Sequence, residues 1–76
     1  MKFQIKKVFS DEILIEGEAE SFKKFVEENK TSLAEADLHK TDLSETDLSE
    51  ANFCGANFYR TNLSKTNFSK TNLSGA

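Results

Sequence analysis

Few side chains in this 76-residue sequence are suited to catalysis. His39 and Cys54 are its single histidine and single cysteine, and Tyr59 is its single tyrosine. A nucleophile needs a base within hydrogen-bond reach. His39 follows Leu38, Cys54 follows Phe53 and Tyr59 follows Phe58, so the three hold one equivalent, outward-facing place in a recurring phrase. Serines 44, 49, 64, 69 and 74 hold it too, and a serine that recurs by position argues for turn hydrogen bonding rather than attack on a substrate. One His and one Cys make no metal framework, and no glycine loop is present to cradle a phosphate. The sequence predicts no enzyme: no catalytic residue, no cofactor and no metal.

The chemistry that the composition does supply is carboxylate. All 13 acidic residues lie between Asp11 and Glu50, where only Lys23, Lys24, Lys30 and Lys40 oppose them, leaving that stretch at −9. Residues 51–76 hold Arg60, Lys65 and Lys70 and no acid. Charge segregated in this way points to a charged partner. The candidate partner-binding surface is Glu27, Glu28, Glu35, Asp37, Asp42, Glu45, Asp47 and Glu50. The glutamates of SFKKFVEENK stand near the end of a predicted helix, and its lysines near the start, against the preference of the helix dipole. Its Lys-before-Glu spacing at i,i+4 is also the weaker order. Two readings of the acid stand, a functional surface and a solvated face.

The elements that position these side chains follow from periodicity. Leu or Phe recurs at 33, 38, 43, 48, 53, 58, 63, 68 and 73, with Ala or Thr two residues before each. Thr31 opens that series of small residues. The residue immediately before each Leu or Phe is Asp at 37, 42 and 47 and Asn from 52 onward. A period of five fits neither helix nor strand; it suits a chain that turns a corner every five residues. The pattern resembles the pentapeptide-repeat family, whose phrase is A(D/N)LXX, over residues 31–75. The resemblance implies a mainly β fold, a right-handed quadrilateral β-helix of four pentapeptides per coil. A little over two coils would stack at about the 4.8 Å strand spacing.

Residues twenty apart then become neighbours. TDLSETDLSE at 41–50 lies beside TNLSKTNFSK at 61–70, so Glu45 should meet Lys65 and Glu50 should meet Lys70. Asp beside Asn avoids the repulsion that Asp beside Asp would bring. Lys40 beside Arg60 breaks the scheme.

So short a stack needs both ends covered. Residues 1–30 read as one cover and residues 31–76 as the solenoid, together one compact unit. MKFQIKKVF and EILIEGE, with Phe3, Ile5, Ile13 and Ile15 alternating around a Ser10-Asp11 turn, predict a β-hairpin. A short helix follows, with Ser21 as N-cap, Asn29 near its end and Phe22, Phe25 and Val26 on one face. This leader resembles that of small phage-type members of the family. At the other end the sequence reaches Gly75-Ala76 as a third coil begins, and a bare edge invites another chain. The expected solution is a twofold homodimer through Phe53, Phe58, Leu63, Phe68 and Leu73. The plainer reading of these residues is that they fill the coil.

Function follows from charge and resemblance together. A rod of registered carboxylates imitates duplex DNA, which carries about one negative charge per 1.7 Å. The expectation is a non-enzymatic DNA-mimic inhibitor of a DNA-binding protein or complex, fitting a phage protein against a CRISPR effector or restriction enzyme. It would contact neither nucleic acid nor membrane directly. Family resemblance also implies gyrase as a target. A generic interaction or scaffold module and a fragment of a longer solenoid are the alternatives. The longest apolar run, Ile13-Leu14-Ile15, is no membrane span, and with one cysteine the expected setting is cytoplasm, that of the host if phage-encoded.

Overall fold

The computed structural model describes residues 1–76. Strand β1 (Lys2–Lys6) pairs antiparallel with β2 (Ile13–Glu18), then come helix α1 (Phe22–Glu28) and a 3-10 turn at Lys30–Ser32. Ile5 faces Ile15, but a bulge follows Ile5, so Lys6 faces Ile13 and Leu14 is skipped. The extra residue re-aims the side chains beyond it. This corrects the expected alternation: Leu14 packs against the core with Ile15, and Ile13 turns outward, 41% exposed.

Helix α1 begins where Ser21, in extended backbone, accepts the Lys24 N–H on its Oγ at 3.2 Å. It ends where Asn29 donates through Nδ2 to the Phe25 carbonyl at 2.8 Å. Phe25 and Val26 are buried, and Phe22 meets Phe3 edge-on at 5.8 Å. A Cβ on Gly17 would lie 3.3 Å from the Phe25 ring, so the bare backbone there lets the helix settle on the hairpin.

Thr31 falls within the 3-10 turn and is exposed, which corrects its expected inward place. From Leu33 the chain follows one rule. Asp37 bridges Asn57, Asp42 bridges Asn62, Asp47 bridges Asn67 and Asn52 bridges Asn72, all in parallel. In each case three backbone bonds form. The Leu43 N–H donates to the Asn62 carbonyl, the Asn62 N–H to Thr41 and the Glu45 N–H to Ser64, each at 2.9 Å. The chain therefore climbs one strand spacing every twenty residues, as a β-helix-like solenoid. The bridges set residues 33–52, called the first coil below, beside residues 53–72, called the second.

Every fifth residue takes the left-handed conformation: Glu35, Lys40, Glu45, Glu50, Gly55, Arg60, Lys65, Lys70 and Gly75, with φ between 57° and 71°. Each is the third residue of a turn such as Leu48-Ser49-Glu50-Ala51, closed by the Ala51 N–H on the Leu48 carbonyl at 3.2 Å. From Asp37 onward, the Asp or Asn before each turn braces it. Asp42 Oδ1 accepts the Ser44 N–H at 3.0 Å and its hydroxyl at 2.6 Å, and Asn62 does the same for Ser64. His39, Cys54 and Tyr59 occupy the serine place, their N–H groups on Asp37, Asn52 and Asn57.

Leu33, Leu38, Leu43, Leu48 and Phe53 are at most 1% exposed and share one core with Ile5, Phe25 and Val26. The threonines reach their inward place by hydrogen bonding. Thr41 and Thr61, one coil apart, both donate a hydroxyl to the Leu38 carbonyl at 2.7 Å, and Thr46 and Thr66 share the Leu43 carbonyl. A buried hydroxyl satisfied in this way avoids a desolvation cost of about 1–3 kcal/mol.

Candidate interaction surface

The structure divides the eight sequence-predicted acids into two groups. Five are engaged. Asp42 lies 4.0 Å from the Lys23 ammonium, which also donates to Ser44 Oγ at 3.2 Å. Asp47 lies 3.9 Å from Lys30, and its own N–H donates to Glu27 at 2.7 Å. Glu27 also pairs with Lys24 at 3.6 Å, at i,i+3 rather than the expected i,i+4. Glu35 faces Lys7 at 4.0 Å, and Asp37 binds His39 Nδ1 at 2.6 Å. Lys23, which the dipole disfavours at the start of α1, thus ties the helix to the first coil.

Glu28, Glu45 and Glu50 have no cation within 4.0 Å. The expected Glu45–Lys65 and Glu50–Lys70 ion pairs therefore do not close, although their backbones stack. All four residues are exposed, where water competes with a pair worth about 0–1 kcal/mol.

The aspartates of the first coil are held in the ionised form. The Ser44 hydroxyl and N–H, with Lys23 nearby, lower the Asp42 pKa below its ordinary value, and Ser49 with Lys30 does so for Asp47. Partial burial works against the Asp37 carboxylate, but its bonds to His39 and Asn57 outweigh that and lower it too. Asn57 and Asn67 turn their amide N–H groups toward Asp37 and Asp47 at 3.3 and 3.5 Å.

A second surface is the edge of the second coil that faces away from the cap. The N–H groups of Phe58, Arg60, Leu63, Lys65, Phe68 and Lys70, and the carbonyls of Ala56, Thr61, Thr66 and Thr71, pair with no other backbone group. Phe58, Leu63 and Phe68 are half-buried there and Leu73 is 42% exposed. Phe53 does not belong to this face: Asn72 covers its N–H, its ring packs against Phe58 at 4.9 Å, and it is fully buried.

A family model described as pentapeptide repeats, in 8 copies, matches residues 29–49 and 36–75. The chain belongs to the pentapeptide-repeat family. No curated protein and no solved structure matches it. No helix of this pentapeptide-repeat protein is long and apolar enough to cross a membrane. No three His, Cys, Asp or Glu side chains are gathered to hold a metal ion. The residues that sequence reasoning missed are Lys7, Lys23 and Lys30, whose role depends on how the cap meets the coil. The threonine ladder was also missed, though its signal, Thr at 41, 46, 61, 66 and 71, is regular.

Because the folded pKa values of Asp42 and Asp47 are depressed, their contribution to stability is present above the unfolded value of 3.8 and is lost as pH falls through the native values. Replacing both with Asn keeps the turn bonds, as Asn62 and Asn67 show. The urea midpoint of the parent should hold from pH 7 down to about 5 and then drop, while that of the double variant drops less. Identical acid limbs would contradict the assignment.

Proposed function

We propose that this pentapeptide-repeat protein is a non-enzymatic interaction module, an acidic inhibitor that occupies the basic DNA-binding surface of another protein or complex. The reading takes the solenoid of residues 31–76 as a right-handed quadrilateral β-helix, with residues 1–30 as its cap in one compact unit. The twenty-residue stagger and a corner every five residues support that shape. The observation that carries the function is the uncompensated acid. Glu28, Glu45 and Glu50 stay free of ion pairs while Asp42 and Asp47 remain ionised beside them in the chain. Carboxylates in register suit a channel built for phosphates. A host-defence complex such as a CRISPR effector or restriction enzyme fits a chain of this size, with gyrase as the alternative target; the setting is cytoplasmic.

The free acids make a cleaner test than the aspartates, which also brace turns and hold the cap. Glu28→Gln, Glu45→Gln and Glu50→Gln together should leave the fold intact. They should reduce retention of a DNA-binding target on the immobilised protein at least tenfold, and duplex DNA and salt should elute that target from the parent. Equal retention by the folded variant would sink the reading.

The unpaired edge of the second coil supports a second part, a homodimer through Phe58, Leu63, Phe68 and Leu73. An open row of donors and acceptors over half-buried apolar groups is a template for pairing. Sedimentation equilibrium should give twice the 8.6 kDa chain mass, returning to one chain mass in Phe58→Glu/Phe68→Glu. A parent that stays at one chain mass over the whole concentration range excludes the dimer.

A further inference from the structure

The corner columns of the stack are not alike. Glu35 is followed one coil on by Gly55, Glu45 by Lys65 and Glu50 by Lys70, but Lys40 is followed by Arg60. The two cations are neighbours, since the Lys40 N–H donates to the carbonyl of Tyr59 at 2.8 Å. Both stand on left-handed corners, at φ 57° and 59°. Neither makes an ion pair, in a chain with 13 carboxylates available. Like charges about one strand spacing apart repel, and no carboxylate of this chain lies within 4.0 Å of either.

The adjoining column on the same stretch stacks Tyr59 over His39. Tyr59 is 62% exposed, and the Arg60 guanidinium lies 5.3 Å from the centre of its ring. The two carboxylates nearest in sequence are already committed, Asp37 to His39 and Asn57, and Asp42 to Ser44 and Lys23. What remains outward is a two-by-two array of His39, Lys40, Tyr59 and Arg60 with unused cationic donors.

We propose that this array is a docking surface for a short acidic segment of a partner protein. Exposed Tyr and Arg are the side chains that most often anchor protein interfaces. A guanidinium stacked on a ring keeps its N–H edge for a carboxylate, which it grips at two points, and Lys40 supplies a second point charge. The occupant is short because the stretch from Asp11 to Glu50 carries −9 and repels an extended polyanion. That field disfavours nucleic acid and leaves room for a few carboxylates on a flexible peptide. The inference does not depend on the inhibitor reading or on the dimer.

The test is an amide NMR titration of the full chain with a hexaglutamate peptide. Inorganic phosphate and a single-stranded oligonucleotide serve as parallel arms. The peptide should give saturable shifts confined to His39, Lys40, Tyr59 and Arg60. Affinity should fall at least tenfold in Lys40→Gln and in Arg60→Gln and be unchanged in Lys65→Gln. Lys40→Glu, which copies the opposite-charge corners, should keep the folded spectrum while losing the peptide. Shifts spread equally over Lys65 and Lys70, the same shifts from phosphate at equal concentration, or tighter binding of the oligonucleotide would each overturn the proposal.

Discussion

The solenoid depends on a left-handed corner at every fifth residue. Seven of the nine repeat corners are Glu, Lys or Arg rather than Gly. At about 1 kcal/mol each, that strain approaches the whole stability of an ordinary small domain. The corners persist because three structures enforce them together. The parallel backbone bonds fix what lies between corners, an Asp or Asn side chain braces every approach after the first, and the inward Leu or Phe anchors it in the core. The strain also has a use. A residue on such a corner is exposed, so the positions that set the surface charge of the solenoid are the ones its backbone turns outward.

The change of sign between the two coils follows from what each coil touches. In the first, Asp42 and Asp47 face Lys23 and Lys30 of the cap, and an amide alone would leave those ammonium groups without a counter-charge. In the second coil, Asn supplies the same brace for the turn and adds a donor. Asn57 and Asn67 direct theirs at the aspartates beneath. Aspartate in both coils would set acceptor against acceptor. The change from Asp to Asn is thus largely structural. The change from Glu to Lys at the corners is not accounted for by contact, because Glu45 and Glu50 do not close on Lys65 and Lys70.

The repeat was legible in the sequence because each of its five positions carries one physical duty, and a duty repeated nine times stands out. Ser21 and Asn29 were legible for the same reason: capping is local chemistry. What the sequence concealed depends on how separate segments meet. The bulge after Ile5 moves Ile13 outward and nothing in ILI marks it. Lys23 and Lys30 gain partners about twenty residues away only once α1 lies on the first coil. The corner conformation is disguised as well, since Gly55 and Gly75 announce it and Glu, Lys and Arg do not. At the candidate surface the sequence showed which side chains are acidic. Their division into engaged and free residues required the cap to be in place.

The stack leaves three features unused within the chain: acids without cations, an unpaired coil edge, and one corner column of like charge. The last two follow from pairing between residues twenty apart. Amide hydrogen exchange in dilute solution tests that pairing most directly. Slow exchange at Leu38, Leu43, Leu48, Asn57, Asn62 and Asn67, with fast exchange at Phe58, Leu63 and Phe68, is the pattern that the stack predicts. Leu43 exchanging as fast as Leu63 would contradict it.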